Sequence, residues 1–190
     1  MAPSTIVEPR AQQRASGEVE LWRLPANGVG AGEQLTRGGS VVRLELAISP
    51  NGKHIAHTDK DQRLHLYDVE RRQDRQIDAS TIDEINELRW SPDSQWLAYV
   101  VPGGNLFRQI KLYSLAFGSI VPVTTDRFDS FSPAWSSDGK WLYLLSDRHL
   151  RSVVKSPWGI YQPEPFLDRR TQIYQVALVP GQRSPFQERD

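Results

Sequence analysis

Apolar and polar residues alternate with a period of two along Leu64-His65-Leu66-Tyr67, Ile110-Lys111-Leu112-Tyr113 and Ile173-Tyr174-Gln175-Val176. That period places one set of side chains on each face of an extended segment, so all three stretches predict strands. Upstream of each lies a five-residue signal: Ser49-Pro50-Asn51-Gly52-Lys53, Ser91-Pro92-Asp93-Ser94-Gln95 and Ser136-Ser137-Asp138-Gly139-Lys140, starting 42 and then 45 residues apart. Each copy follows a short apolar run (Leu44 to Ile48, Leu88 to Trp90, Pro133 to Trp135) and precedes another (His54 to Thr58, Trp96 to Val100, Trp141 to Leu145). Two extended segments around a turn signal predict a hairpin. The turn has a mechanism: proline presets φ at its second position, Asn or Asp tolerates the third, and glycine takes the positive φ that ends it. Ser94 stands where the other copies have glycine. A left-handed serine costs on the order of 1 kcal/mol, so the sequence alone predicts that Ser94→Gly stabilises the fold.

A weaker fourth strand ends at Ile77 and at Val123, in each case 13 residues past the start of the third. Four short strands per unit of about 45 residues is the pattern of a β-propeller blade. The fold class read from the sequence is therefore all-β, an incomplete propeller of about three and a half four-stranded antiparallel blades. Leu21-Trp22-Arg23-Leu24, followed by Leu35-Thr36, reads as the last two strands of an earlier unit, and no fourth strand follows Leu178. Propellers close with about four to eight blades, so the stack is expected to be completed by further sequence or by partners. The expected organisation is a disordered segment over 1–16, a partial propeller over 17–186 with blades starting near 41, 83 and 131, and a tail over 187–190.

The third unit is longer than the second: Ile110 to Ile173 spans 63 residues where Leu64 to Ile110 spans 46. The surplus lies in 146–171, which holds Arg148, Arg151, Arg169 and Arg170 together with Trp158, Tyr161 and Phe166. Loops of that length are usually functional or disordered, and the aromatics argue against disorder. These seven residues are the candidate docking site for a peptide carboxylate or for acidic groups of an adjacent domain. The alternative is a lid lying on the propeller's own face.

Composition narrows the rest. The 23 basic and 23 acidic residues cancel, so no net field draws the chain to nucleic acid or to an anionic membrane. With no cysteine there are no disulfides, thiol nucleophiles or thiolate metal sites, and cytoplasm and periplasm both stay open. The start, MAPSTIVEPRAQQRASG, is polar and broken by proline, unlike a signal peptide, which favours the cytoplasm.

None of the reactive-looking residues forms a recognisable catalytic pattern. His54, His57 and His65 fall in predicted strands; His54 and His57, three apart, point to opposite faces and cannot chelate one metal together. His149 is expected to be solvated. No serine occupies a nucleophile turn. Gly28, Gly30 and Gly32 follow a strand but open no helix, so they predict a hairpin rather than a phosphate loop. Trp90 with Trp96, and Trp135 with Trp141, hold equivalent places and predict blade-to-blade packing. The reading assigns no catalytic residue, no cofactor and no metal.

The segments Asp59-Lys60-Asp61-Gln62-Arg63-Leu64, Leu88 to Tyr99 and above all Asp138-Gly139-Lys140-Trp141-Leu142-Tyr143-Leu144-Leu145-Ser146-Asp147-Arg148 resemble tricorn-type proteases, over about Gly17 to Phe186. The turn signal is shared with TolB-like propellers, whereas the join of Leu-Ser-Asp-Arg to an insertion rich in Pro, Trp and Phe is more specific. The resemblance implies a serine peptidase, cytosolic or exported, whose propellers admit or filter peptides for an active site in C-terminal domains. None of that family's catalytic serine, histidine and glutamate motifs matches a segment here. Two functions compete: a non-catalytic propeller that gates or docks peptides for catalytic domains outside this chain, and a stand-alone TolB-like scaffold for protein partners. The partners implied are peptides, proteins or the remaining domains of such a protease, with oligomerisation left open.

Overall fold

Each turn signal closes a hairpin, and the hairpins build the blades. The computed structural model describes residues 6–8, 20–25, 27–37, 39–149, 151–153, 166–169 and 171–187. In chain order the strands are β1 (Ile6–Glu8), β2 (Trp22–Leu24), β3 (Glu33–Gln34), β4 (Arg43–Ile48), β5 (His54–Asp59), β6 (Arg63–Asp68), β7 (Gln73–Ala79), β8 (Asn86–Trp90), β9 (Trp96–Pro102), β10 (Arg108–Ser114), β11 (Ile120–Pro122), β12 (Ser130–Trp135), β13 (Trp141–Ser146), β14 (Arg151–Val153), β15 (Phe166–Arg169) and β16 (Gln172–Ala177). No helix occurs among the described residues, least of all across Trp90 to Val100. Two four-stranded antiparallel sheets, β4-β5-β6-β7 and β8-β9-β10-β11, are whole blades; β1-β2-β3 and β12-β13-β16 flank them as three-stranded sheets. The all-β, unclosed propeller expected from the sequence is the architecture observed.

The serine that opens each turn signal has a job that spacing alone did not show. Ser49, Ser91 and Ser136 each donate their hydroxyl to the Asx carboxylate or amide oxygen two residues on, and each accepts the backbone N–H five residues on at 2.9 Å. The backbone N–H of Gly52, Ser94 and Gly139 returns to the opening serine's carbonyl at 2.8 to 3.0 Å. All three closing residues sit in the left-handed region, with φ of 71°, 62° and 68°.

Ser94 is thus strained, as its position predicted, but its hydroxyl accepts the Asn51 N–H of the preceding blade at 3.1 Å. Relief of about 1 kcal/mol at φ is offset by a lost hydrogen bond worth about 0.5–1.5 kcal/mol. The expectation that Ser94→Gly stabilises is therefore revised: that variant is expected to melt close to the parent. Ser94→Ala, which keeps the strain and loses the bond, is expected to cost about 1 kcal/mol, measurable by urea denaturation.

Packing between sheets follows the faces that the alternation set. Ala56, Leu64 and Leu66 of one blade meet Ile85, Leu88, Leu97, Tyr99 and Tyr113 of the next, all buried. On the other side of that second blade, Ala98, Val100, Ile110 and Leu112 meet Leu142 and Leu144. Leu21 packs likewise on Ile55 and Tyr67. Trp90, Trp96 and Trp135 sit at these seams, the indole N–H of Trp90 donating to the Ala47 carbonyl and that of Trp135 to the Arg89 carbonyl, both at 3.0 Å. Register shifts mark the first strand of every blade. There the Glu45 carboxylate accepts the Leu88 N–H of the next blade at 2.9 Å, and Glu87 accepts the Ser132 N–H in the same way one blade further on.

Two short pairings complete the strand inventory. Ile6–Glu8 pairs antiparallel with β2, as suits an Ile-Val pair in extended conformation. The insertion over 146–171 carries a two-stranded hairpin, β14 with β15, rather than loop alone.

Candidate docking groove

Successive hairpins put all the turn signals at one end of the blades, and the connections between β7 and β8, β9 and β10, β11 and β12, and β13 and the insertion at the other. Those four connections enclose a groove of about 840 Å³ lined by residues including Asp83, Glu84, Phe107, Arg127, Phe128 and Arg148. Val100 and Pro102 of β9 form its apolar wall. Phe107 and Phe128 are 44% and 43% exposed.

Asp83 and Glu84 line the groove from the β7–β8 connection; Arg127 and Arg148 make a basic edge in which Asp147 also stands. Arg127 is exposed and forms no ion pair with a described residue. The Arg148 guanidinium lies 4.5 Å from the Tyr174 ring centroid and 5.9 Å from that of Phe128, and its Nε donates to Ser146 at 3.2 Å. That stacking fixes the plane of the guanidinium and leaves its remaining N–H groups for a partner.

Arg108, also in the lining, grips Asp129. Its backbone N–H donates to Oδ1 at 2.8 Å, Nε to Oδ1 at 3.0 Å and Nη2 to Oδ2 at 2.5 Å, while the guanidinium covers the Phe131 ring at 3.9 Å. The Arg108 bonds hold the Asp129 carboxyl below the usual carboxylate range, against the opposing pull of burial. A group with a depressed folded pKa adds stability above its unfolded value and loses it as pH falls through the folded one. The chain is accordingly expected to lose stability on acidification from about pH 5 to about pH 2, with a shallower loss in Asp129→Asn when unfolding is followed by tryptophan fluorescence.

Of the seven candidate residues, Arg148 is in the groove wall. Arg151 and Arg169 are opposite one another in the β14–β15 ladder and Phe166 is opposite Val153, which brings these backbone positions together. Trp158, Tyr161 and Arg170 lie outside the described residues. His149, expected to be solvated, is exposed but hydrogen-bonds through Nδ1 to the Tyr174 hydroxyl. His54 and His57 do point to opposite faces, His54 lying 6.2 Å from Trp90 and His57 stacking on His65 at 4.9 Å. Sequence reasoning missed Arg108, Arg127, Phe107 and Phe128. The available signal was their place in connections at the same end as the long insertion.

Stacked four-stranded blades, open at both ends and grooved where one set of connections gathers, define a segment of a β-propeller. The chain belongs to the tricorn protease second β-propeller domain family, whose model matches residues 11–190. It is 37% identical over 142 residues to tricorn protease homolog 1 of Streptomyces coelicolor, covering 73% of this chain and 13% of that protein. Against the tricorn protease homolog of Saccharolobus solfataricus it is 37% identical over 103 residues, 54% of this chain and 10% of the other. The chain therefore spans a small part of the length of these relatives. Among solved structures, the tricorn protease superposes with a TM-score of 0.79 at 19% identity, over 95% of this chain and 17% of that one. TolB of Acinetobacter baumannii gives 0.58 at 18% identity, over 94% and 39%, a likeness of fold.

Proposed function

We propose that this chain is a non-catalytic propeller segment of a tricorn-like serine peptidase, and that it docks or gates peptides for catalytic domains that lie outside it. The observation that carries this reading is the groove: two exposed phenylalanines in a lining that also holds carboxylates and arginines. A short peptide offers the complementary set, an ammonium, a carboxylate and apolar side chains between them. Membership of the tricorn family supports peptides as the ligand class. The test is fluorescence anisotropy of labelled five- to eight-residue peptides against the chain, with peptide hydrolysis followed in the same samples. Saturable binding without cleavage supports the reading. Cleavage by the chain, or no binding by any peptide, overturns it.

A further inference from the structure

The register of β5 against β6 sets His57 directly opposite His65, and β7 brings Asp74 to the same face. A ring nitrogen from each histidine and an oxygen of Asp74 all lie within 4.8 Å of one another. His57 Nε2 is 3.1 Å from both Asp74 oxygens, close to the edge of a tetrahedron whose metal–ligand bonds are about 2.0–2.1 Å long. The His57 side chain is 2% exposed and its Nδ1 is buried without a hydrogen-bond partner. His65 Nε2 meets Asp59 Oδ2 at 3.0 Å, the carboxylate contact that orients a ligating imidazole in metal sites.

We propose that His57, His65 and Asp74 form a binding site for a divalent metal ion of the zinc type. Two imidazoles and one carboxylate are the donor set that borderline divalent ions prefer, with water able to fill a fourth position. Carboxylates flank the pair: Asp74 lies beside His57 and Asp59 beside His65, with Arg43 3.8 Å from Asp74 and Arg63 4.0 Å from Asp59. The rings are parallel, 1° apart, so both cannot aim at one ion as they stand. Binding therefore requires His65, whose side chain is 18% exposed, to turn about χ2, a torsion with a broad minimum. An ion there ties three strands of one blade together beside the seam where Arg43 meets Glu20 of the preceding sheet at 3.2 Å.

The experiment is titration of the chelator-stripped, full 190-residue chain with Co(II), read by visible absorption, and with Zn(II), read by melting temperature and by the ring ¹⁵N shifts of the histidines. A single saturable site, Co(II) bands of an imidazole and carboxylate set, a rise of several degrees in melting temperature and movement of the His57 and His65 signals are expected. His65→Gln and Asp74→Asn, both partly exposed, are each expected to weaken Co(II) binding at least tenfold, and His149→Gln to leave it unchanged. Unmoved His57 and His65 signals in the unaltered protein overturn the proposal, as does equal Co(II) affinity in the two variants; either result makes the cluster a hydrogen-bonded seam and nothing more.

Discussion

Tyr113→Ala is expected to destabilise this chain by about 3–5 kcal/mol. The side chain is 1% exposed and belongs to the cluster between the blades that begin with β4 and β8. Its hydroxyl accepts from Arg75 of the preceding blade at 2.7 Å, with the same guanidinium 5.7 Å from its ring centroid. Truncating a large buried aromatic costs about 3–5 kcal/mol, because the vacated space is only partly refilled. Whole domains are stable by about 5–15 kcal/mol, and this one exposes Ile173 of β16 at 75% and Phe186 beyond that strand at 78%. Tyr113→Phe removes only the accepted hydrogen bond and is expected to lose about 0.5–1.5 kcal/mol. Urea denaturation followed by fluorescence separates the two. An alanine variant within 1 kcal/mol of the parent, a figure well below the aromatic truncation range, would mean that the blades are not held by this ring.

Tyr67 shows why this seam was partly legible in the sequence. It stands in the third strand of its blade, 46 residues before Tyr113, and also reaches back to the preceding sheet, its hydroxyl donating to the Leu35 carbonyl at 3.0 Å. Alternation, turn chemistry and the recurrence of Trp90 and Trp135 are local or periodic, so they survive in a linear reading. What register creates does not. His57 and His65 become neighbours only because their hairpin turns around Asp61, and comparing His54 with His57 along one strand could not reveal it. Ser94 looked like a defect until Asn51, 43 positions away, was found donating to it. Glu45 and Glu87 recur at blade spacing, but nothing short of the bulge at each first strand shows that they cap the next blade. The groove was the least legible feature, since four connections of ordinary composition build it and only Arg148 among its walls carried a sequence signal.

Removing the basic edge of the groove is expected to abolish most of its peptide affinity. Charge-assisted hydrogen bonds contribute about 1.5–3 kcal/mol each, and each 1.4 kcal/mol is about tenfold in Kd, so Arg127→Ala with Arg148→Ala together are expected to weaken binding at least tenfold. Arg148 also stacks on Tyr174, so the melting temperature of that variant has to be read beside its affinity; Arg127, exposed and without an ion pair to a described residue, gives the cleaner single measurement. Amidating the peptide's C-terminus is expected to reproduce the loss in the parent chain, because it deletes the charge that the arginines meet. Raising ionic strength is expected to weaken binding by the parent and much less by the double variant. Phe128→Ala tests the apolar part separately, with a loss that salt does not change. Arg71, 78% exposed at the opposite end of the blades, supplies the control substitution. If amidated and free peptides bind alike, the basic edge does not read a carboxylate; if the double variant binds as the parent does, peptides dock elsewhere, and the two aromatics at 43% and 44% exposure are then the surface of a domain contact.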